Sequence, residues 1–91
     1  MTKHLEITVR GKVQGVFYRA STKAVADQLG VKGYVKNAAN GDVLISAEGD
    51  NMSLDLFLDW CKEGPQNAVV TSVESHEGEL KNYRNFDVAK K

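Results

Sequence analysis

Apolar and polar residues alternate near the start of the chain, where Leu5, Ile7 and Val9 are separated by polar side chains. Because successive side chains of a strand point to opposite faces, this pattern predicts a strand over residues 5–10 with one buried face. A short final strand is expected at residues 86–88. Three intermediate strands are predicted: residues 31–36, residues 42–48 with Val43, Ile45 and Ala47 on one face, and a strand in which Val69, Thr71 and Val73 alternate.

Two segments follow helical spacing instead. In the second and clearer one, four apolar residues recur at positions i, i+3, i+4 and i+7, which places a single apolar stripe against a core. We expect Ser53 to cap its first turn and Gly64-Pro65 to end it. The first helix is predicted over residues 20–29, with Gly30 as its C-cap. The apolar stripes consist of Ala24, Val25 and Leu29 in the first helix and of Leu54, Phe57, Leu58 and Cys61 in the second.

The order of these elements determines the expected fold class. Asn40-Gly41 follows the second strand and is a strong hairpin signal, because both residues tolerate the positive φ of a tight turn. The resulting order, βαββαβ, predicts an α+β, ferredoxin-like sandwich with two helices on one face of a mainly antiparallel sheet. A chain of 91 residues allows one compact domain, so we assign residues 1–91 to a single domain. Many unrelated functions use this fold, which leaves the function open.

Composition and charge narrow the classes of function. The 12 basic and 12 acidic residues cancel, whereas a dedicated nucleic-acid binder usually carries a basic excess. The single cysteine, Cys61, excludes an internal disulfide and indicates a reducing compartment. The N-terminus lacks the apolar core of a secretion signal, and no apolar run is long enough to cross a bilayer. We therefore expect a cytoplasmic protein that binds neither nucleic acid nor a membrane. The absence of an extra apolar face favours a monomer.

The segment between the first strand and the first helix carries the candidate chemistry. It contains Gly11 and Gly15 and ends at Arg19. Glycines let the backbone curl so that successive N–H groups converge, and the free amides of a helix start add partial positive charge. Arg19 supplies a planar, permanently charged fork that matches phosphate oxygens. By itself the segment is either an anion site or a mere connection, since both are common at such positions.

Other candidate residues have an ordinary structural explanation beside a functional one. Asn37, at the end of a strand, either bonds the backbone of the following turn or holds a water or substrate oxygen. Tyr34 either flanks that position or packs on the sheet. His4 and His76 have no partner pattern, so surface or edge positions are expected for them. Cys61 is expected to be a buried, inert thiol. The acidic residues form no ligand cluster, so no metal site is expected.

The segment at residues 11–19 and a second segment at residues 33–43 together resemble the motifs of the acylphosphatase family. The first motif has the form G-x-V-Q-G-V-x-[FMY]-R and is matched over residues 11–19, and the second, G-[FYW]-V-x-N-x-x-x-G-x-V, is matched over residues 33–43. Two long motifs at the family spacing are far more specific than one glycine-rich loop. The departures are small: Asn40 replaces a commonly acidic residue and suits a turn, and Tyr18 stands where phenylalanine is common. The resemblance continues to Phe86 and covers essentially the whole chain.

This resemblance implies hydrolysis of the carboxyl–phosphate bond of small acyl phosphates to a carboxylate and inorganic phosphate, without metal or cofactor. Arg19 is implied to hold the phosphate and Asn37 to orient the attacking water. Two alternatives remain open: a module that binds an anion or RNA without turnover, and a regulatory domain of a larger assembly. The sequence does not indicate a pocket for the acyl part. The residues implied to bind phosphate are Gln14, Gly15, Val16, Phe17, Tyr18 and Arg19.

Overall fold

A computed structural model describes residues 1–89 and contains five strands and two helices in a compact α+β arrangement. These are β1 (Lys3–Lys12), α1 (Tyr18–Leu29), β2 (Lys32–Asn37), β3 (Val43–Gly49), α2 (Asn51–Glu63), β4 (Val69–Gly78) and β5 (Phe86–Val88). The strands form one sheet in the order β4-β1-β3-β2-β5. Three of the pairs are antiparallel, while β2 and β5 run parallel. The predicted ferredoxin-like fold, including its short final strand, is confirmed.

The core lies between the sheet and the two helices. The inward faces predicted for β1 and β3 are confirmed, because all six apolar residues assigned to them are buried. In α2 the predicted stripe is also correct, with Leu58 only partly buried at its margin. Each large apolar side chain removed from water contributes about 1.5–3 kcal/mol. The helices and the central strands therefore stabilise one another through one shared cluster.

The first helix begins two residues earlier than predicted and buries a different stripe. Ala24 is exposed, while Tyr18, Thr22 and Ala26 are buried at four-residue spacing. Thr22 is tolerated inside because its hydroxyl donates a hydrogen bond of 2.7 Å to the carbonyl of Tyr18. The other two predicted residues pack at the edge of the core. Gly30 is confirmed as the C-cap, with φ of 74° and an N–H that reaches the last turn.

The N-cap of α2 is Asp50 rather than Ser53. The helix starts at Asn51, and the extended Asp50 accepts a hydrogen bond of 2.7 Å from the backbone N–H of Ser53. The predicted cap residue is therefore the donor of the capping bond, three positions further along. The predicted end of the helix is confirmed, because Gly64 adopts φ of 71° and donates to the carbonyl of Trp60.

A bulge in β4 changes which of its residues face the core. The register between β1 and β4 shifts at Gly11, so that Thr71 has no partner on β1. The prediction that Val69, Thr71 and Val73 alternate on one face is therefore wrong: Val70 and Val73 pack against the core and Val69 is exposed. A Cβ on Gly11 would collide with the β4 backbone, which explains the glycine. One extra residue in a strand moves each side chain beyond it to the opposite face of the sheet.

The connection between β4 and β5, residues 79–85, crosses the face of the sheet that carries no helix. We call it the crossing segment. Glu48 of β3 holds it, because the side chain accepts hydrogen bonds from the backbone N–H of Lys81 (2.5 Å) and of Tyr83 (3.2 Å). Tyr34 lies on this face and meets the Tyr83 ring edge-on at 6.0 Å. Of its two predicted placements, packing on the sheet is the one observed.

His4 lies beneath the crossing segment and is 2% exposed. The prediction that His4 lies at the surface or an edge is wrong, whereas His76 is exposed as predicted. His4 contacts two carboxylates: its Nδ1 is 2.7 Å from Glu48, and its Nε2 bonds Glu6. Burial by itself would lower the pKa of His4, but the hydrogen bonds to these two carboxylates outweigh it and raise that pKa. Burial would likewise raise the pKa of Glu48, yet its hydrogen bonds from the crossing segment and His4 lower it.

Candidate active site

A cleft of about 310 Å³ lies where the loop after β1 meets the ends of β2 and β5. Because β2 and β5 run parallel, their carboxyl ends lie side by side: Val35 pairs with Val88, and the N–H of Ala89 donates to the carbonyl of Val35. Arg19 and Asn37, far apart in sequence, line this same cleft. The full lining consists of Val13, Gly15, Phe17, Tyr18, Arg19, Ala20, Asn37 and Val88.

The loop that borders the cleft alternates in backbone handedness. Gly15 has φ of 73° and Phe17 has φ of 62°, both left-handed, whereas Val16 between them is not. Alternating handedness turns successive N–H groups toward one side, which makes an anion-binding concavity. A Cβ on Gly15 would meet no atom within 4 Å, so the glycine serves the backbone angle rather than space. The backbone at this end of the cleft therefore has the form that suits an anion.

Arg19 lies in the first turn of α1, directly after that loop. The first amides of a helix have no acceptor within the helix and carry partial positive charge. Phe17, the N-cap, makes no side-chain capping bond, and the first turn contains no acidic residue. None of the ion pairs within residues 1–89 involves Arg19. The guanidinium and the helix start thus add positive potential at the same place.

Asn37 presents an unusual buried group at the end of β2. Its Oδ1 is buried and has no hydrogen-bond partner within residues 1–89. An unpaired buried acceptor is destabilising by about 1–3 kcal/mol, so such groups normally have a role. The following turn is closed by Asn40 instead, whose Oδ1 accepts from the N–H of Asp42 at 3.0 Å, while Gly41 alone of the Asn-Gly pair takes positive φ. The turn-forming explanation for Asn37 is therefore not the one observed.

Gln14 ties the loop to the hairpin that follows Asn37. Its Nε2 donates hydrogen bonds to the carbonyls of Ala38 (2.8 Å) and Asp42 (2.9 Å). The side chain of Gln14 is thereby committed to the protein, so any contact that Gln14 makes with phosphate comes from its backbone. The bridge holds the two halves of the cleft in register.

Tyr18 and Cys61 belong to the packing beneath the cleft. The ring of Tyr18 is buried, and its hydroxyl donates a hydrogen bond of 2.8 Å to the carbonyl of Cys61. Burial raises the pKa of the Tyr18 hydroxyl, and it raises the pKa of the Cys61 thiol to about 12. The expected buried thiol at Cys61 is confirmed. Tyr18 thus anchors the start of α1 to α2, which fixes where Arg19 lies.

The sequence-based site and the observed cleft overlap without coinciding. Gly15, Phe17, Tyr18, Arg19 and Asn37 line the cleft as well as belonging to the predicted site. Gln14 and Val16 were predicted to bind phosphate and do not line it, so any role they have there stays a prediction. Three further lining residues were not predicted from the sequence, because their small or aliphatic side chains carry no mark of a binding role. They are Val13, Ala20 and Val88.

The described residues contain neither a cluster of metal ligands nor a membrane-spanning helix. Within residues 1–89, no group of three or more histidine, cysteine or acidic side chains is placed to hold a metal ion. Neither of the two helices within residues 1–89 is long and apolar enough to cross a membrane.

Comparison with known proteins identifies the family. A sequence model described as acylphosphatase matches residues 5–88. The chain belongs to the acylphosphatase family. A curated acylphosphatase of Archaeoglobus fulgidus is 51% identical over 85 residues, which are 93% of this chain and 96% of that protein. High coverage of relatives named for this activity makes the chain an enzyme of the acylphosphatase family.

Solved acylphosphatase structures share the fold over nearly the whole chain. The structure of an acylphosphatase from Coxiella burnetii has a TM-score of 0.94 and 39% identity, covering 97% of this chain and 93% of that one. The crystal structure of acylphosphatase from Bacillus subtilis has a TM-score of 0.93 and 33% identity, covering 98% and 99%. The family resemblance expected from the two sequence motifs is therefore confirmed.

Proposed function

We propose that this protein hydrolyses the carboxyl–phosphate bond of small acyl phosphates, releasing a carboxylate and inorganic phosphate. The observation that carries the proposal is that Arg19 and Asn37 line one cleft beside a loop of alternating handedness. Acyl phosphates are the substrate class that the family name implies. The chemistry of the cleft residues suits that class.

The phosphoryl group binds at the loop and at Arg19. Backbone N–H groups from residues 14–18 donate to two of its three terminal oxygens, and the guanidinium of Arg19 pairs with the third. Phosphoryl transfer passes through a loose transition state with charge spread over these oxygens. Fixed donors aimed at that charge stabilise the transition state without reorganising during the reaction. The loop and Arg19 supply such donors.

Asn37 orients the attacking water. Asn37 lines the cleft, and its side-chain amide hydrogen-bonds a water molecule positioned in line with the bond to be broken. The water oxygen forms a bond to phosphorus, the bond between phosphorus and the carboxyl oxygen breaks, and its electron pair leaves with the carboxylate. Asparagine is a poor base, so the water proton passes to a phosphate oxygen of the substrate.

No metal ion or general acid enters this mechanism. A carboxylate is a good leaving group and needs no protonation to depart. The remaining requirement is positive potential around the phosphate, and Arg19 with the loop amides meets it. The proposed reaction is therefore metal-independent because the carboxylate leaves without help and Arg19 and the loop amides supply the hydrogen-bond donors.

The test is release of inorganic phosphate from acetyl phosphate and benzoyl phosphate in the presence of a metal chelator. We expect release well above the spontaneous rate and unchanged by the chelator. Release that the chelator abolishes contradicts the metal-independent mechanism. No release above the spontaneous rate contradicts the proposal and favours a module that binds an anion without turnover. The cytoplasmic location, the monomeric state, the single domain and the absence of nucleic-acid and membrane partners stay predictions from the sequence.

A further inference from the structure

Phe17 occupies a position that packing does not explain. Its side chain is 80% exposed, whereas Phe57 and Phe86 are buried in the core at 0% and 1% exposure. A large aromatic ring normally contributes through burial, which Phe17 lacks in the free protein. The ring therefore contributes nothing to the core cluster.

The backbone at Phe17 is also unfavourable for this residue type. Its φ of 62° and ψ of 20° are left-handed, a conformation that glycine and asparagine adopt readily and that bulky residues rarely adopt. Phe17 is moreover the N-cap of α1, where residues with a capping oxygen are preferred, and it makes no side-chain capping bond. Departures of this kind from local preference concentrate at functional sites.

Phe17 lines the cleft that contains Arg19 and Asn37. Val88, at the end of β5, lines the same cleft and is 38% exposed. The cleft therefore combines a polar part, formed by Arg19 and Asn37, with two apolar side chains that are open to solvent. Its volume of about 310 Å³ lies within the range for small-molecule sites and is large enough for one substrate molecule.

The connectivity of an acyl phosphate places its acyl group next to these two side chains. The carbonyl carbon is joined to phosphorus through a single oxygen atom, so the acyl chain leaves the phosphate site immediately. With the phosphate held by Arg19 and the loop, the acyl chain emerges within the same cleft, where the remaining exposed side chains are apolar. An apolar acyl group gains free energy there by removing its own surface and theirs from water.

We propose that Phe17 and Val88 form the acyl-group subsite, so that this protein prefers acyl phosphates with a bulky apolar acyl group over acetyl phosphate. The inference rests on the hydrolase function proposed above and names the substrate class within it. The backbone at both positions is fixed by the fold: at Val88 by the pairing of β5 with β2, and at Phe17 by the left-handed backbone before α1. Both side chains therefore start from a fixed position at the cleft before the substrate binds, which lowers the cost of forming the complex.

The experiment compares acetyl phosphate with 3-phenylpropanoyl phosphate. The two parent carboxylic acids have nearly equal acidity, so the leaving groups match and the apolar bulk differs. The measured quantity is the ratio of their kcat/KM values, each divided by the spontaneous hydrolysis rate in the same buffer. For the wild-type protein we expect a ratio of about 10 in favour of the phenylpropanoyl substrate, arising mainly in KM.

Two variants test whether this preference arises from Phe17 and Val88. Phe17→Asn removes the ring with a residue that suits the left-handed backbone, and Val88→Ala shortens the second side chain. We expect the first to bring the ratio to within about twofold of unity and the second to lower it about threefold. Met52→Ala is the control, because Met52 is 76% exposed on α2 and does not line the cleft; its ratio should equal that of wild type.

The outcomes separate the subsite from the hydrolase function. The subsite is refuted, while the hydrolase function stands, if wild type hydrolyses both substrates with a ratio of kcat/KM values near unity. The same conclusion follows if this ratio is the same in Phe17→Asn and Val88→Ala as in wild type. If wild type hydrolyses neither substrate above the spontaneous rate, the hydrolase function itself is refuted.

Discussion

Replacing Glu48 by alanine removes the group that holds the crossing segment against the sheet. The backbone N–H groups of Lys81 and Tyr83 lose their acceptor, and His4 loses one of its two carboxylates. The side chains of Glu48 and His4 are 4% and 1% exposed, so water does not replace these bonds without opening the segment. Breaking a buried, hydrogen-bonded pair typically lowers the free energy of unfolding by about 3–5 kcal/mol. We expect a loss of about 3 kcal/mol, which is a large fraction of the stability of a small domain.

The loss should depend on pH in a direction set by the two pKa shifts. Glu48 has a lowered pKa in the folded protein, so its contribution is present above its ordinary value of 4.5 and is lost as pH falls through the folded value. His4 has a raised pKa, so its contribution is full below its ordinary value of 6.5 and is lost as pH rises through the folded value. The pair therefore stabilises the fold most between these two ordinary values, and less in alkaline solution.

The assay is urea denaturation of wild type and Glu48→Ala at about pH 5.5 and about pH 9. The matched control is Glu77→Ala, because Glu77 is exposed on β4 and pairs with Lys3 only at the surface. The control should change the free energy of unfolding by less than about 0.5 kcal/mol at both pH values. The reasoning is refuted if Glu48→Ala loses no more than the control, or if its loss is as large at the alkaline pH as at the acidic one.

Two further predictions concern the cleft. Asn37→Ala should lower kcat about 100-fold and leave inhibition by inorganic phosphate nearly unchanged, because Asn37 orients water. A loss of phosphate affinity with kcat intact contradicts that role. The control is Asn67→Ala, which removes an exposed asparagine in a turn. Gln14→Ala should lower the free energy of unfolding by about 1–3 kcal/mol and also lower kcat, since it breaks both hydrogen bonds to the hairpin; unchanged urea denaturation would refute this bridging role.

The fold was largely predictable because its main signals are local. The alternation in β1 and β3 and the stripe of α2 indicate which face each element buries, and Gly30 and Gly64 mark helix ends that need a residue with positive φ. Two of the errors arose where a distant partner decides the outcome. The bulge opposite Gly11 depends on the pairing of β1 with β4, and no sequence pattern within β4 predicts it. His4 appeared isolated because its partner Glu48 is 44 residues away.

The candidate site was predictable to the extent that it is contiguous in sequence. Residues 11–19 form one motif, and Asn37 belongs to a second motif of similar specificity. Val88 enters the cleft only because β5 pairs with β2 in parallel, a contact that joins the last strand to the second. The different roles of Gln14, whose side chain is bound to the hairpin, and Phe17, whose ring is exposed, also depend on tertiary structure.

Arg19 is the central residue of the proposed site, and one measurement tests its role directly: release of inorganic phosphate from acetyl phosphate by Arg19→Ala in the presence of a metal chelator. Removing one preorganised charge contact typically lowers transition-state stabilisation by about 3–4 kcal/mol, or roughly 100- to 1000-fold in rate. Arg84→Ala, which removes an exposed arginine of the crossing segment, is the matched control and should retain wild-type turnover. We expect Arg19→Ala to unfold at the wild-type urea concentration and to lose at least about 100-fold in kcat/KM. Near-normal turnover by a folded Arg19→Ala would contradict the proposed site.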